Sequence, residues 1–295
     1  MKYELRPLLL ILLVFAASCS DRIKYLDNDY PGLTPKKYSE GIINIEGRFQ
    51  QNLTMSPDGK EYLFTTTDSE LWRYESILRV RYQGNEAVID TPQFVTDFNY
   101  ENQWFIGEPM IAPDNQHLFF IADYPPDLWT SKRADDGDWS NPVKLDSLST
   151  EIEDWYPTFS KNNTLYFTTG TVYRSEQENG AYLSKTKVES SFNQKDTRDA
   201  CISPNEDYMI FTAEDSSGFG KSDLYISFKD SYGNWSEPKN LGNEINTEYR
   251  EFAPYISPDE RFLFFSRRDR WQNAEFSDIY WVSLEVIEKF RPGSE

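Results

Sequence analysis

The chain has 295 residues and a formal net charge of −19, so its field repels phosphate backbones and argues against a nucleic-acid partner. Its carboxylates are scattered as on a solvated surface, and a single histidine with two cysteines argues against a zinc site. Aromatic residues make up 16% of the chain and, with Val, Ile and Thr, suit the half-buried face of a strand, which predicts an all-β fold.

Residues 1–18 read as a targeting segment. Lys2 and Arg6 precede an apolar run at residues 8–15 that is too short to span a bilayer, and Ala16-Ala17-Ser18 are the small residues a signal peptidase needs. Cys19 follows. The arrangement resembles the lipobox of bacterial lipoproteins, which implies lipidation of Cys19, although Ala16 stands where Leu is commonest. An ordinary secretory signal with an incidental cysteine is the alternative. Residues 19–34 would then be the lipidated Cys and a polar tether, and residues 35–295 the folded body. Cys201 is left without a disulfide partner and is expected as a core or channel residue.

From Pro35 onward one hairpin recurs five times, most clearly as EFAPYISPDERFLFFS at residues 251–266. Its turn residue falls at Ser56, Ala112, Ser160, Ser203 and Ser257, a spacing of 43 to 56 residues that predicts four-stranded propeller blades. Phe64, Phe120, Phe167, Phe211 and Phe265 follow the turns at matched positions, where alternation puts the rings between neighbouring blades. A third strand is expected at Glu70-Leu71-Trp72, Asp127-Leu128-Trp129, Asp223-Leu224-Tyr225 and Asp278-Ile279-Tyr280, with Ala181-Tyr182-Leu183 in blade three.

A fourth strand is expected near Gly-x-Trp-Ser-x-Pro at residues 137–142 and 233–238, with weaker versions at 90–95 and 192–195. The fifth blade lacks one at its own end. Residues 35–44 match the spacing after Pro238 and are expected to supply it, closing a ring of five blades by pairing the two ends of the chain; a degenerate sixth blade is the alternative.

The run Pro-x-[Ile/Phe]-Ser-Pro-Asp, Leu-x-Phe-x-Ser and Asp-Leu-Tyr resembles the WD40-like PD40 repeats of the TolB propeller, over residues 35–284. With the lipobox-like start and Gly-x-Trp-Ser-x-Pro, the chain is most similar to exported PD40 lipoproteins of Bacteroidetes-type bacteria. That resemblance implies an exported propeller, lipid-anchored in the cell envelope at the outer membrane, without a counterpart of TolB's N-terminal α/β domain.

Propellers bind at the channel mouth, so the residues running into each innermost strand are the candidates. Arg48, Glu108, Asp154, Trp155, Arg198, Asp199, Arg250 and Glu251 are chosen as ligand-binding residues, with Trp104 nearby, because aromatics beside hydrogen-bonding charges suit a sugar or an extended peptide. The reading is a monomeric, non-enzymatic binding module for an envelope protein or a glycan, without cofactor or metal. A five-bladed glycosidase is the alternative, with Glu108, Asp154 and Glu251 as its carboxylates. A sialidase would need three converging arginines, for which Arg48, Arg198 and Arg250 are available, and Asp135-Asp136-Gly137-Asp138-Trp139 resembles that family's Asp-box hairpin. Calcium in this Asp-rich turn stays open, although its spacing matches no helix–loop–helix cation loop. Gly220-Lys221-Ser222 lacks the first glycine of a phosphate-binding loop.

Overall fold

Four of the five recurrent hairpins are closed by a serine hydroxyl at the turn. Ser56 Oγ accepts the N–H groups of Lys60 and Glu61, both at 3.0 Å, and Ser203 and Ser257 repeat the pattern with Asp207 and Tyr208, and with Arg261 and Phe262. Where the second copy has Ala112, Asp114 Oδ1 takes over, accepting from Gln116 at 2.8 Å and His117 at 3.1 Å. The turn therefore needs a side-chain oxygen acceptor and not a serine as such.

The computed structural model describes residues 23–68, 75–83, 86–91, 95 and 106–293. The hairpins extend into five four-stranded antiparallel sheets. A two-residue strand, β1 (Lys36–Lys37), comes first in the chain. Blade one holds β2 (Phe49–Met55), β3 (Glu61–Thr67), β4 (Glu75–Gln83) and β5 (Glu86–Asp90). Blade two holds β6 (Ile106–Ile111), β7 (His117–Ala122), β8 (Asp127–Lys132) and β9 (Val143–Lys144). Blade three holds β10 (Trp155–Phe159), β11 (Leu165–Thr168) and β12 (Val172–Ser175); β13 (Gln177–Glu178) and β14 (Ala181–Tyr182) form a side hairpin before β15 (Thr186–Lys187) completes the sheet. Blade four holds β16 (Arg198–Ile202), β17 (Tyr208–Ala213), β18 (Asp223–Phe228) and β19 (Lys239–Asn240). In blade five, β20 (Arg250–Ile256), β21 (Phe262–Arg268) and β22 (Ser277–Ser283) are joined by β1, with Lys36 opposite Trp281 and Lys37 opposite Tyr280. The fold is thus a five-bladed propeller closed by its N-terminal strand. The innermost strands β2, β6, β10, β16 and β20 touch in a ring.

The five matched phenylalanines lie between blades. Phe64 meets Tyr255 and Phe264 across the closing seam, Phe120 meets Leu63 and Ile77, and Phe167 meets Phe119 and Ile121. Phe211 packs with Tyr166 and Val172, and Phe265 with Ile210 and Leu224. Burying each ring stabilises by roughly 2 kcal/mol, so one residue type at one position supplies much of every blade interface.

Three strand expectations are corrected. In blade three the third strand is β12, not Ala181-Tyr182-Leu183: Thr171-Val172-Tyr173 carries the aliphatic–aromatic pair with Thr in the acidic place, and Tyr173 stacks on Phe167 at 5.7 Å. Its fourth strand is β15, because residues 192–195 are taken up by a short 3-10 turn around the buried Phe192. In blade one the fourth strand, β5, ends at Asp90 where 90–95 was expected to begin it. Glu70-Leu71-Trp72 lies outside the described residues, and the position opposite Phe64 is held by Leu78.

Gly-x-Trp-Ser-x-Pro proves to be a clasp. Ser140 Oγ accepts Lys132 N–H and Ser236 Oγ accepts Phe228 N–H, while Arg133 and Lys229 cover the Trp139 and Trp235 rings at 4.0 and 5.1 Å. Asp138 pairs with buried Arg79 at 2.6 Å, which ties blade two to blade one. Gly220 is needed for close approach, since a Cβ there would stand 2.2 Å from the carbonyl oxygens of Thr247 and Tyr249.

Candidate functional site at the channel mouth

Every innermost strand breaks register at the same place. Four residues ahead of each turn residue, Asn52, Glu108, Tyr156, Asp199 and Ala253 adopt left-handed backbone angles, φ 44° to 54°. A non-glycine residue in this region costs about 1–2 kcal/mol, so the bulge must be held by its surroundings. Four of the five bulge N–H groups donate to the preceding blade: Asn52 to Ser266 Oγ at 3.0 Å, Glu108 to Thr65 Oγ1 at 2.9 Å, Tyr156 to Glu108 Oε2 at 2.6 Å and Ala253 to Asp199 Oδ2 at 3.1 Å. Glu108 and Asp199 are therefore both bulge residues and supports of the next bulge.

Above them opens a cavity of about 470 Å³ over blades three, four and five. Trp155, Phe252 and Trp271 give it aromatic walls, Glu108 and Asp199 lie at its base, and Glu153, Asp196, Arg198 and Glu214 supply charge around it. Phe252 meets the Trp271 ring edge-on at 5.2 Å, and the Arg250 guanidinium covers that ring at 4.6 Å while bonding Glu214 at 2.9 Å. Arg198 bonds Asp196 at 2.8 Å, and Trp155 Nε1 donates to Glu153 Oε2 at 3.1 Å.

Burial dominates the acids at the base. It pushes Glu108 well above the usual carboxylate range, reinforced by the charges of Asp199 and Glu75 and opposed by hydrogen bonds from Tyr156 and Asn52. Burial likewise pushes Asp199 up to about 6, against the pull of the Ala253 N–H, Arg198 and Thr212. Burial thus biases both acids toward their protonated forms within one shared cavity.

Of the residues chosen from sequence, Glu108, Trp155, Arg198 and Asp199 line the cavity, and Arg250 flanks it through Trp271 and Glu214. Arg48 is elsewhere: it donates to the carbonyls of Ile42 and Ile43, holding the loop after the closing strand, so the three arginines do not converge. Asp154, in the loop before β10, and Glu251, near the start of β20, are fully buried. Asp154 accepts from Thr150 N–H at 2.9 Å, and Glu251 accepts from Thr247 N–H at 2.9 Å and from Arg267 Nε at 2.6 Å. Trp104 lies outside the described residues. Among the described residues no three His, Cys, Asp or Glu side chains converge as a metal set, and Asp136 and Asp138 are engaged within their turn and with Arg79.

Sequence reasoning did not choose Trp271 or Phe252. Phe252 lies on β20, next to the chosen Glu251, whereas the signal for Trp271 was loop length: residues 214–222 and 269–276 between second and third strands are long, against residues 123–126 and 169–171 in blades two and three. Long loops on a propeller rim are where binding side chains are carried.

No protein-family model matches the chain, and no curated protein matches it by sequence. Solved structures are similar in fold. A thermostable family-43 glycoside hydrolase aligns with 10% identity and a TM-score of 0.50 over 80% of this chain and 89% of that one. The α-L-arabinofuranosidase of Lactobacillus brevis aligns at 13% and 0.49 over 85% and 92%. TolB from Acinetobacter baumannii aligns at 14% and 0.47 over 79% of this chain and 54% of that one, so this chain matches about half of that protein's length. At such identities the likeness is one of fold.

Proposed function

We propose that this protein is a lipid-anchored propeller of the bacterial cell envelope, tethered through Cys19 to the outer membrane, which binds a glycan in the channel mouth without transforming it. One observation carries the reading: Trp155, Phe252 and Trp271 wall a cavity whose basal carboxylates, Glu108 and Asp199, already bond the bulges of neighbouring blades. Sugar rings offer flat apolar faces to such rings and hydroxyls to the charges between them. The cavity volume, about 470 Å³, falls within the usual range for a small-molecule site.

A second reading is favoured by the two shifted acids lining one cavity. Glu108 as proton donor and Asp199 as base or nucleophile would suit a glycosidase, which needs one protonated and one ionised carboxyl across the scissile bond. A glycan panel separates the two. Binding to wild type, weakened roughly tenfold by Trp155→Ala, with no release of reducing ends, supports the module; release of reducing ends that Glu108→Gln and Asp199→Asn both abolish establishes the enzyme instead. The anchor has its own check, since Cys19→Ser should move the chain from the membrane to the soluble fraction, and retention in the membrane fraction refutes it.

A further inference from the structure

The charges around the cavity do not balance. Arg198, its one lining cation, is bonded to Asp196, and Arg250 at the rim is bonded to Glu214. Glu108, Glu153 and Asp199 remain, and among the described residues none of the three forms an ion pair. Glu108 is only 8% exposed, faces the cavity and keeps its place by accepting the Tyr156 N–H at 2.6 Å. Burying Glu108 beside the half-buried Asp199 with no cation bonded to either is costly, and a strand bulge alone could have been held by a hydroxyl, as Thr65 and Ser266 hold theirs. The walls point the same way, because the faces of tryptophan rings attract cations, and Trp271 already carries the Arg250 guanidinium at 4.6 Å.

We infer that the ligand of this cavity carries a positively charged nitrogen, and that it is an amino sugar with a free ammonium group, seated against Trp155 and Trp271 with its nitrogen toward Asp199 and Glu108. This rests on the glycan reading above and narrows it. A sugar fits better than a lysine side chain because the three aromatic walls present more apolar surface than a single alkyl stem can cover. When the ammonium enters, the Glu108 carboxyl, pushed up by burial and by the charges of Asp199 and Glu75, gains a cationic partner that favours its charged form, and a proton held there passes to solvent. Asp199 is faced by Glu108 of β6, the Tyr156 hydroxyl of β10, Thr212 of β17, the Ala253 N–H of β20 and Arg198 on its own strand.

The test is calorimetric titration of the whole chain at pH 7 with a glucosamine trimer and an N-acetylglucosamine trimer, repeated in buffers of different ionisation enthalpy. The glucosamine trimer should bind about tenfold more tightly, with proton release that the acetylated trimer does not cause. Asp199→Asn should bring the two affinities together, and Glu108→Gln should abolish the proton release; both amides keep an oxygen to accept the bulge N–H. Equal binding of the trimers overturns the charge inference and leaves the glycan reading standing, whereas no binding of either, with no hit on the glycan panel, removes both. Tighter binding of a trilysine peptide than of the glucosamine trimer overturns the sugar scaffold.

Discussion

Asp154 and Glu251 occupy the same place in blades three and five, six residues ahead of the turn serine, and each bonds a threonine four residues before it. Their neighbours differ. Glu251 has Arg267 at 2.6 Å to offset the cost of burial, while Asp154 Oδ1 is buried without a donor and faces the charge of Asp127. Burial first, and Asp127 with it, pushes Asp154 up to about 6 against the hydrogen bonds from Thr150. Because that value lies above the unfolded one, near 4, the folded protein holds the proton more tightly: this site favours folding at pH 4 and loses that contribution as pH rises through about 6. Asp154→Asn keeps an oxygen for Thr150 and turns a donor toward Asp127. It should stabilise the protein by about 1 kcal/mol at pH 8 and give no gain at pH 4.5, in urea denaturation at both values. A gain independent of pH would show that the Asp154 charge is not its source.

At the scale of the strand, the recurrent turn and the inter-blade phenylalanine were legible because the same residue type returns at the same spacing. The bulge was not. Asn52, Glu108, Tyr156, Asp199 and Ala253 share one backbone conformation and no chemical character, and what holds four of them is an acceptor on the preceding blade, remote in sequence. The choice of Glu108 and Asp199 from sequence therefore picked two bulge residues without seeing why they are special. Blade three shows the converse failure. Thr in place of the acidic residue hid β12, and Gly180, with φ 83° at the tip of the side hairpin, drew the assignment to Ala181 instead.

Over the whole molecule, the ring is closed by few bonds of high consequence. Asn44 Nδ2 donates to Tyr38 O at 2.8 Å and Ile279 O at 2.7 Å, and its Oδ1 accepts Ile279 N–H at 2.9 Å, so one buried side chain staples the first strand to the last. Asn246 bonds Leu224 in the same way between β18 and the end of blade four, where no seam exists. Asn44→Ala leaves the buried Tyr38 carbonyl and Ile279 N–H unpaired, the Ile279 carbonyl keeping the Tyr38 N–H, and should cost about 3 kcal/mol, lowering Tm by roughly 6–10 °C. If the loss is under about 1 kcal/mol, the seam does not depend on this staple.

The sequence by itself determined the architecture: the repeat period sets five blades, each turn oxygen and phenylalanine marks a blade, and the offset at residues 35–44 foretells the closing strand, because these depend on local spacing that recurs. Only the tertiary structure decided the site. Trp155 and Arg198 share a cavity with Glu108, Phe252 and Trp271, while Asp154, Glu251 and Arg48 are turned away from it to hold loops and strand ends. Which carboxylate faces the cavity and which closes a turn depends on the donors within reach, and those come from other blades.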